Sequence, residues 1–188
     1  MSKTYIRRQN GAAVIVAAFM ATFMTACHAE PHAASVADGG AASAVGDESW
    51  KALPDLVFRG TISGEPLDFN DKKGEDSAAV KQFKKTGKNP YNDNVDVVKN
   101  GYTIFSTACS GCHGHLAEGK LGPALHDDYW TYPGNALDKG LFETIYGGAQ
   151  GMMGPQRGHL TQDEILQVMS WVRSVYSGPP EKAKWKKK

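Results

Sequence analysis

The sequence predicts an all-α fold, and three observations carry that expectation. Val98, Tyr102, Phe105 and Cys109 recur at spacings of four, three and four, which puts them on one face of a helix. Ile165, Val168, Met169, Val172, Val175 and Tyr176 form a second stripe of the same kind. Between Pro90 and Gly178 no run alternates apolar with polar residues, the signature of a half-buried strand. The 188 residues are 41% hydrophobic and 22% charged, a globular profile with room for one domain and its appendages. Disordered, collagenous and multi-span membrane chains are excluded by it.

At the N-terminus, Lys3, Arg7 and Arg8 precede the apolar run 12–20, which trails into small residues ending at Ala26, Cys27 and Ala29. A basic start, a short apolar stretch and a small-residue border describe a secretory signal over residues 1–26. The run falls short of the ~20 apolar residues that a retained membrane anchor needs. Met24-Thr25-Ala26-Cys27 also has the shape of a lipoprotein site, where an acylated Cys27 would tether the chain to a membrane. Residues 27–50 are mostly Ala, Gly, Ser and His; they cannot repay the entropy of ordering and are expected to form a flexible leader. Export implies an oxidising compartment, the periplasm.

Residues 51–89 read as an N-terminal extension. Leu56 to Ile62 with Gly64 to Leu67 has the pattern of a small hairpin, and Ser77 to Thr86 that of a short helix with Val80 and Phe83 inward. So short a segment does not readily bury a core alone, so it is expected to pack on the domain over 90–178. In that domain Gly101 permits a close crossing of the first helix. Asp138 to Tyr146 reads as a shorter helix with Leu141, Phe142 and Ile145 inward, ended by Gly147-Gly148. The last helix is the best specified: Thr161 and Glu164 form a capping box, Leu160 and Ile165 a hydrophobic staple, and Gly178-Pro179-Pro180 a stop.

Charge is balanced overall at a formal +1, with no footprint for a nucleic-acid partner. Its distribution is uneven. Between Pro90 and Gly178 nine acids outnumber five bases, whereas Lys182, Lys184, Lys186, Lys187 and Lys188 make 179–188 a basic tail.

Cysteine usage decides the chemistry. Apart from Cys27, only Cys109 and Cys112 are present, and His113 follows them directly. C-x-x-C-H is the attachment pattern of a c-type haem. On a helical turn, residues three apart share a face, so both thiols reach the two vinyl groups of one macrocycle and the imidazole lies under the iron. A redox dithiol is expected near a βαβ pattern, which is missing here; a structural zinc needs a second ligand pair, and no further cysteine exists. An iron that only passes electrons needs a sixth ligand. Gly147 to Pro155 offers Met152 and Met153 in a glycine-rich loop, with Met153 favoured because Gly154-Pro155 stiffens its far side. His126 and His159 are the rival sixth ligands, and His115 reads as structural. The second ring nitrogen of His113 needs an acceptor, for which the Pro123 carbonyl is the candidate. Trp130 and Tyr132, within the cluster Tyr129-Trp130-Thr131-Tyr132-Pro133, suit one haem edge and its propionates. Gly111, Ala149, Gly151 and Gly154 are small enough to leave that edge accessible.

The run Cys109-Ser110-Gly111-Cys112-His113-Gly114-His115-Leu116-Ala117-Glu118-Gly119-Lys120, followed by Tyr129 to Pro133, Lys139-Gly140-Leu141-Phe142-Glu143-Thr144 and Met153-Gly154-Pro155, resembles the cytochrome c-L family. The likeness runs from about Lys88 to Gly178 and more weakly from Leu56. It implies a class I cytochrome c fold around one covalently attached haem, with Cys109 and Cys112 as thioether links and His113 and Met153 as axial ligands. It further implies an electron-transfer protein rather than an enzyme. The donor would be a periplasmic methanol dehydrogenase that uses pyrroloquinoline quinone (PQQ), and the acceptor a small soluble cytochrome c. Family members that serve the calcium-type dehydrogenase often carry a longer C-terminal extension with additional cysteine; the short lysine-rich tail here keeps a lanthanide-type partner open. Some members also hold a Ca2+ ion near the haem, for which no dense acidic loop is visible. Two other classes compete: a haem enzyme with a displaceable sixth ligand, and a membrane-anchored cytochrome subunit of an oxidase held through Cys27.

Overall fold

Each of the five α-helices among the described residues starts or ends on chemistry visible in the chain. The structure, a computed structural model, describes residues 48–70 and 72–187, all within one unit of the chain, Ala42–Lys188. The expected signal, Cys27 and the leader up to residue 47 lie outside the described residues. Helix α1 (Ala78–Thr86) begins where Ser77 Oγ accepts from the Val80 N–H and ends at Gly87. Helix α2 (Val95–Ala108) is capped by Asn94, whose side-chain oxygen accepts from the N–H groups of Asp96 and Val97 at 3.1 Å each. A single turn, α3 (Ser110–His113), follows it. Helix α4 (Asp138–Gly147) comes next, and α5 (Gln162–Ser174) carries the capping box in full: Thr161 Oγ1 accepts from Glu164 N at 3.1 Å, and Glu164 Oε2 from Thr161 N at 2.7 Å.

The framework is the crossing of α2 over α5. A Cβ on Gly101 would fall inside van der Waals contact of the Gln167 carbonyl, so glycine is what lets the backbones approach. Phe105 is buried at the crossing with its ring 4.2 Å from Trp171. On the same predicted stripe Tyr102 is not inward: it is 42% exposed and lies against Trp171 at the margin, 5.4 Å away. The close crossing leaves room for one large ring, and the phenol keeps its polar tip in water.

A second aromatic cluster joins the extension to α1 and α4. Phe58 is buried among Phe83 at 5.4 Å, Phe142 at 5.6 Å and Phe69 at 5.8 Å. The expected small hairpin is reduced to a tight antiparallel turn: Arg59 pairs with Pro66, with Leu67 N donating to Phe58 O at 2.8 Å and Gly60 N to Glu65 O at 2.9 Å. The outward N–H of Arg59 is spent on α4, donating to Glu143 at 2.6 Å, and Thr61 bonds Thr144 at 2.8 Å. The leader also ends sooner than composition suggests, because Glu48–Ala52 form a 3-10 turn with Trp50 half-buried.

Polar order in the interior centres on Arg173 and Asp138, 3.0 Å apart with side chains 1% and 2% exposed. Asp138 also accepts from Asn89 N at 3.0 Å and Asn92 Nδ2 at 2.8 Å, and Arg173 donates to Asn135 O at 2.8 Å. Burial pulls the Arg173 guanidinium below its ordinary value, while Asp138 opposes that fall. Trp130 and Trp185 cover the guanidinium carbon at 5.1 and 4.2 Å. Trp185, only 7% exposed, thereby seats the basic C-terminal segment, and Tyr176 meets it edge-on at 4.8 Å.

Asp76 ties residues 72–86 to α5, accepting from Lys72 at 2.7 Å, Lys84 at 2.6 Å and Gln162 at 2.8 Å. Burial pushes its carboxyl up, but the two lysines outweigh that and hold it below the usual carboxylate range. A carboxyl depressed in the folded state contributes stability above its unfolded value of ~3.9 and loses it as pH falls through the folded one. Urea midpoints of Asp76→Asn should therefore lie below wild type at pH 7, with the gap narrowing as pH drops below about 4. Gly101→Ala should cost about 1–3 kcal/mol through overpacking, seen as a lower urea midpoint with an unchanged slope.

Candidate haem site

Cys109 stands at the junction of α2 and α3, its N–H bonded to Phe105 O at 2.9 Å while its own carbonyl accepts from Cys112 and His113 at 3.1 and 3.0 Å. That turn carries both sulfurs and the imidazole on one piece of backbone. Cys109 is half-buried, Cys112 is exposed, and neither is in a disulfide. Burial, with the neighbouring Cys112 second, pushes the Cys109 thiol up to about 11. It stays protonated at neutral pH.

His113 is buried, and its Nδ1 lies 2.9 Å from the Pro123 carbonyl oxygen. A carbonyl only accepts, so Nδ1 is the donor, and in the neutral ring the lone pair is then on Nε2. The loop that returns Pro123 is pinned by backbone bonds: Gly119 N to His113 O at 2.7 Å, Gly122 N to Cys112 O at 2.8 Å, and Leu125 N to Ala117 O at 2.8 Å. Gly122 has a role that spacing alone does not reveal. A Cβ there would sit 2.7 Å from His113 Cε1, so only glycine lets the loop pass against the ring. Its one trace in the sequence is its place beside Pro123.

The methionine loop leaves the end of α4. Met153 is half-buried and packed against the core, whereas Met152 is 82% exposed. Ala149 N bonds Met153 O at 2.9 Å, and Gln156 N returns to Ile145 O at 3.0 Å. The histidines are placed otherwise. His115 and His159 are exposed. His126 is half-buried with Nδ1 lacking a partner among the described residues, and its carbonyl accepts from Ser177 N at 2.6 Å.

The two aromatics expected at the propionates have protein partners. Trp130 faces Arg173, and the Tyr132 hydroxyl accepts from Gln150 N at 3.1 Å. At Gly111, Gly151 and Gly154 the space a Cβ would enter is open. Among the described residues no group of three or more His, Cys, Asp and Glu side chains is gathered as a metal site, and no residue is assigned to the Ca2+ ion. No helix among them is long and apolar enough to cross a membrane. Two free thiols and an imidazole whose Nδ1 is committed to Pro123, carried on one turn, form a donor set that fits a covalently attached haem.

Residues 96–172 match the family model described as cytochrome c oxidase, cbb3-type, subunit III. Cytochrome c-L of Methylorubrum extorquens is 56% identical over 132 residues, which is 69% of this chain and 67% of that protein. The crystal structure of cytochrome cL from Methylophaga aminisulfidivorans superposes with a TM-score of 0.69 at 62% identity, covering 70% of this chain and 89% of that one. Cytochrome cL from Hyphomicrobium denitrificans gives a TM-score of 0.68 at 46% identity, covering 71% and 82%. The helical architecture is thus the class I cytochrome c fold. Likeness of this extent, together with the paired thiols and imidazole on one turn, places the chain in the cytochrome c-L family, whose members carry one covalent haem c.

Proposed function

We propose that the protein is a periplasmic electron carrier of methanol oxidation. It accepts single electrons from a PQQ-dependent methanol dehydrogenase, of the calcium or lanthanide type, and passes them to a small soluble cytochrome c. The observation that carries this reading is the His113 imidazole, its Nδ1 committed to Pro123 O at 2.9 Å and its Nε2 left as a ligand beside two thiols. Cys109 and Cys112 would take the thioether links, and His113 and Met153 would be the two protein ligands of the iron. A haem so held supplies a one-electron ferric/ferrous couple.

The chain's own residues then set what that couple does. The Pro123 carbonyl fixes the imidazole tautomer and strengthens its donation. A methionine in the distal position and burial both raise the reduction potential, and solvent at an exposed edge lowers it. A Cβ at Gly111, Gly151 or Gly154 would meet nothing within 4 Å, so a partner can come close to the backbone at each of them, which suits a brief encounter. An interface under ~1,200 Å² with charges at its rim favours fast exchange of partners. The likeness to cytochromes c-L supports the kind of partner.

Mixing the oxidised protein with purified calcium-type and lanthanide-type dehydrogenases tests the proposal: reduction by one of them, faster at low salt, is expected, and reduction by neither refutes it. Met153→Ala should abolish the weak long-wavelength methionine–iron band and lower the midpoint potential, while Met152→Ala leaves both unchanged. Ready binding of carbon monoxide by the reduced wild-type protein would instead favour a haem enzyme with an open sixth site.

A further inference from the structure

The methionine loop is fastened at a point that neither ligand chemistry nor the helix ends require. Inside the loop, Ala149 N reaches Met153 O at 2.9 Å and Gly154 N reaches Met152 O at 3.0 Å. Those bonds shape the loop but do not hold it to anything. Among the described residues, the hydrogen bond that links 149–153 to another element runs from Gln150 N to the Tyr132 hydroxyl at 3.1 Å. Tyr132 belongs to the segment between the proximal loop and α4, so this bond spans two stretches of chain that are 18 residues apart.

The base of that tyrosine is rigid. Its carbonyl accepts from Asn135 N at 2.9 Å. Asn135 in turn is held from two sides, its carbonyl by Arg173 at 2.8 Å and its side-chain oxygen by Thr144 at 2.7 Å. Arg173 is fixed by Asp138, and Thr144 lies on α4, from whose end the methionine loop springs. Both ends of the Tyr132–Gln150 bond are therefore referred to one buried frame. The loop cannot swing Met153 outward as a body without breaking it.

We infer that Tyr132 is a positioning residue for the distal ligand: its hydroxyl keeps the Met153 loop closed through the Gln150 N–H. This rests on the assignment of Met153 above. The bond lies at the surface, so its loss exposes no buried orphan, and the Gln150 N–H turns to water. The effect is then that of one hydrogen bond, a factor of about three to ten in the closed-to-open equilibrium.

The test uses the full-length ferric holoprotein and its Tyr132→Phe and Met153→Ala variants, with imidazole as the competing ligand. Titration reads the affinity for imidazole. Stopped-flow mixing at saturating imidazole reads the rate at which the methionine leaves. Tyr132→Phe is expected to keep the methionine–iron band and the thermal midpoint while raising imidazole affinity about three- to tenfold, with a faster limiting rate. A merely structural tyrosine would move the thermal midpoint and leave the limiting rate alone. If the band is present in wild type and absent in Met153→Ala, yet Tyr132→Phe binds imidazole as wild type does, the inference is overturned and the ligand assignment stands. If wild type lacks the band, or Met153→Ala keeps it, the assignment falls and the inference with it.

Discussion

Arg173 and Asp138 meet where water is excluded, and the surrounding architecture is organised by their dependence on each other. An isolated charge at that depth is costly, and removing one member of such a pair costs about 3–5 kcal/mol because the other is left uncompensated. The two residues come from different helices, so the pair exists only when α4 and α5 are in register. Asp138 divides its second oxygen between Asn89 and Asn92, which fixes the approach to α2, and Arg173 reaches the Asn135 carbonyl, which fixes the turn before α4. A hydrophobic pair of equal volume would hold the helices as tightly. It would not dictate where two further segments go.

The two sides of the proposed haem position are built on different principles. On the proximal side, backbone hydrogen bonds close a loop around His113, and Gly122 admits that loop against the ring. On the distal side the chain is glycine-rich, its bonds are largely internal, and Met153 is held by packing on the core. The nitrogen donor is thus the more firmly mounted of the two. Imidazole binds either oxidation state well, whereas a thioether bond to ferric iron is the weaker of the two and gains most from a loop that is hard to open. The extension contributes at one remove, by burying Phe58 between α1 and α4.

Much of this was legible in the chain because it is local. The Thr161–Glu164 box, the stripes on α2 and α5, and the crossing at Gly101 follow from spacings of three and four. The haem pentapeptide is a helical turn whose meaning is its spacing, and the Pro123 carbonyl follows from what a proximal imidazole needs. What escaped depends on residues far apart in sequence. Nothing near Tyr132 indicates that its hydroxyl meets Gln150, and the apolar pattern at Leu56 to Leu67 fits a hairpin as well as a strap over α4. Arg173 was hidden for another reason: a lone arginine at the end of an amphipathic helix is ordinarily solvated, and only the fold supplies Asp138 and two indoles to bury it.

The seat of Trp185 has an electrical consequence. An untethered run of lysines spreads its charge over a cloud of positions, and its far field averages toward that of a diffuse counter-ion. Here the buried indole at 4.2 Å from the Arg173 guanidinium carbon fixes the origin from which Lys184, Lys186 and Lys187, all exposed, project into water. Set against the acidic residues of the body, they give the molecule a dipole with a direction locked to its helices. A charged surface that comes within about one screening length, ~8 Å at physiological salt, would therefore turn the protein before touching it.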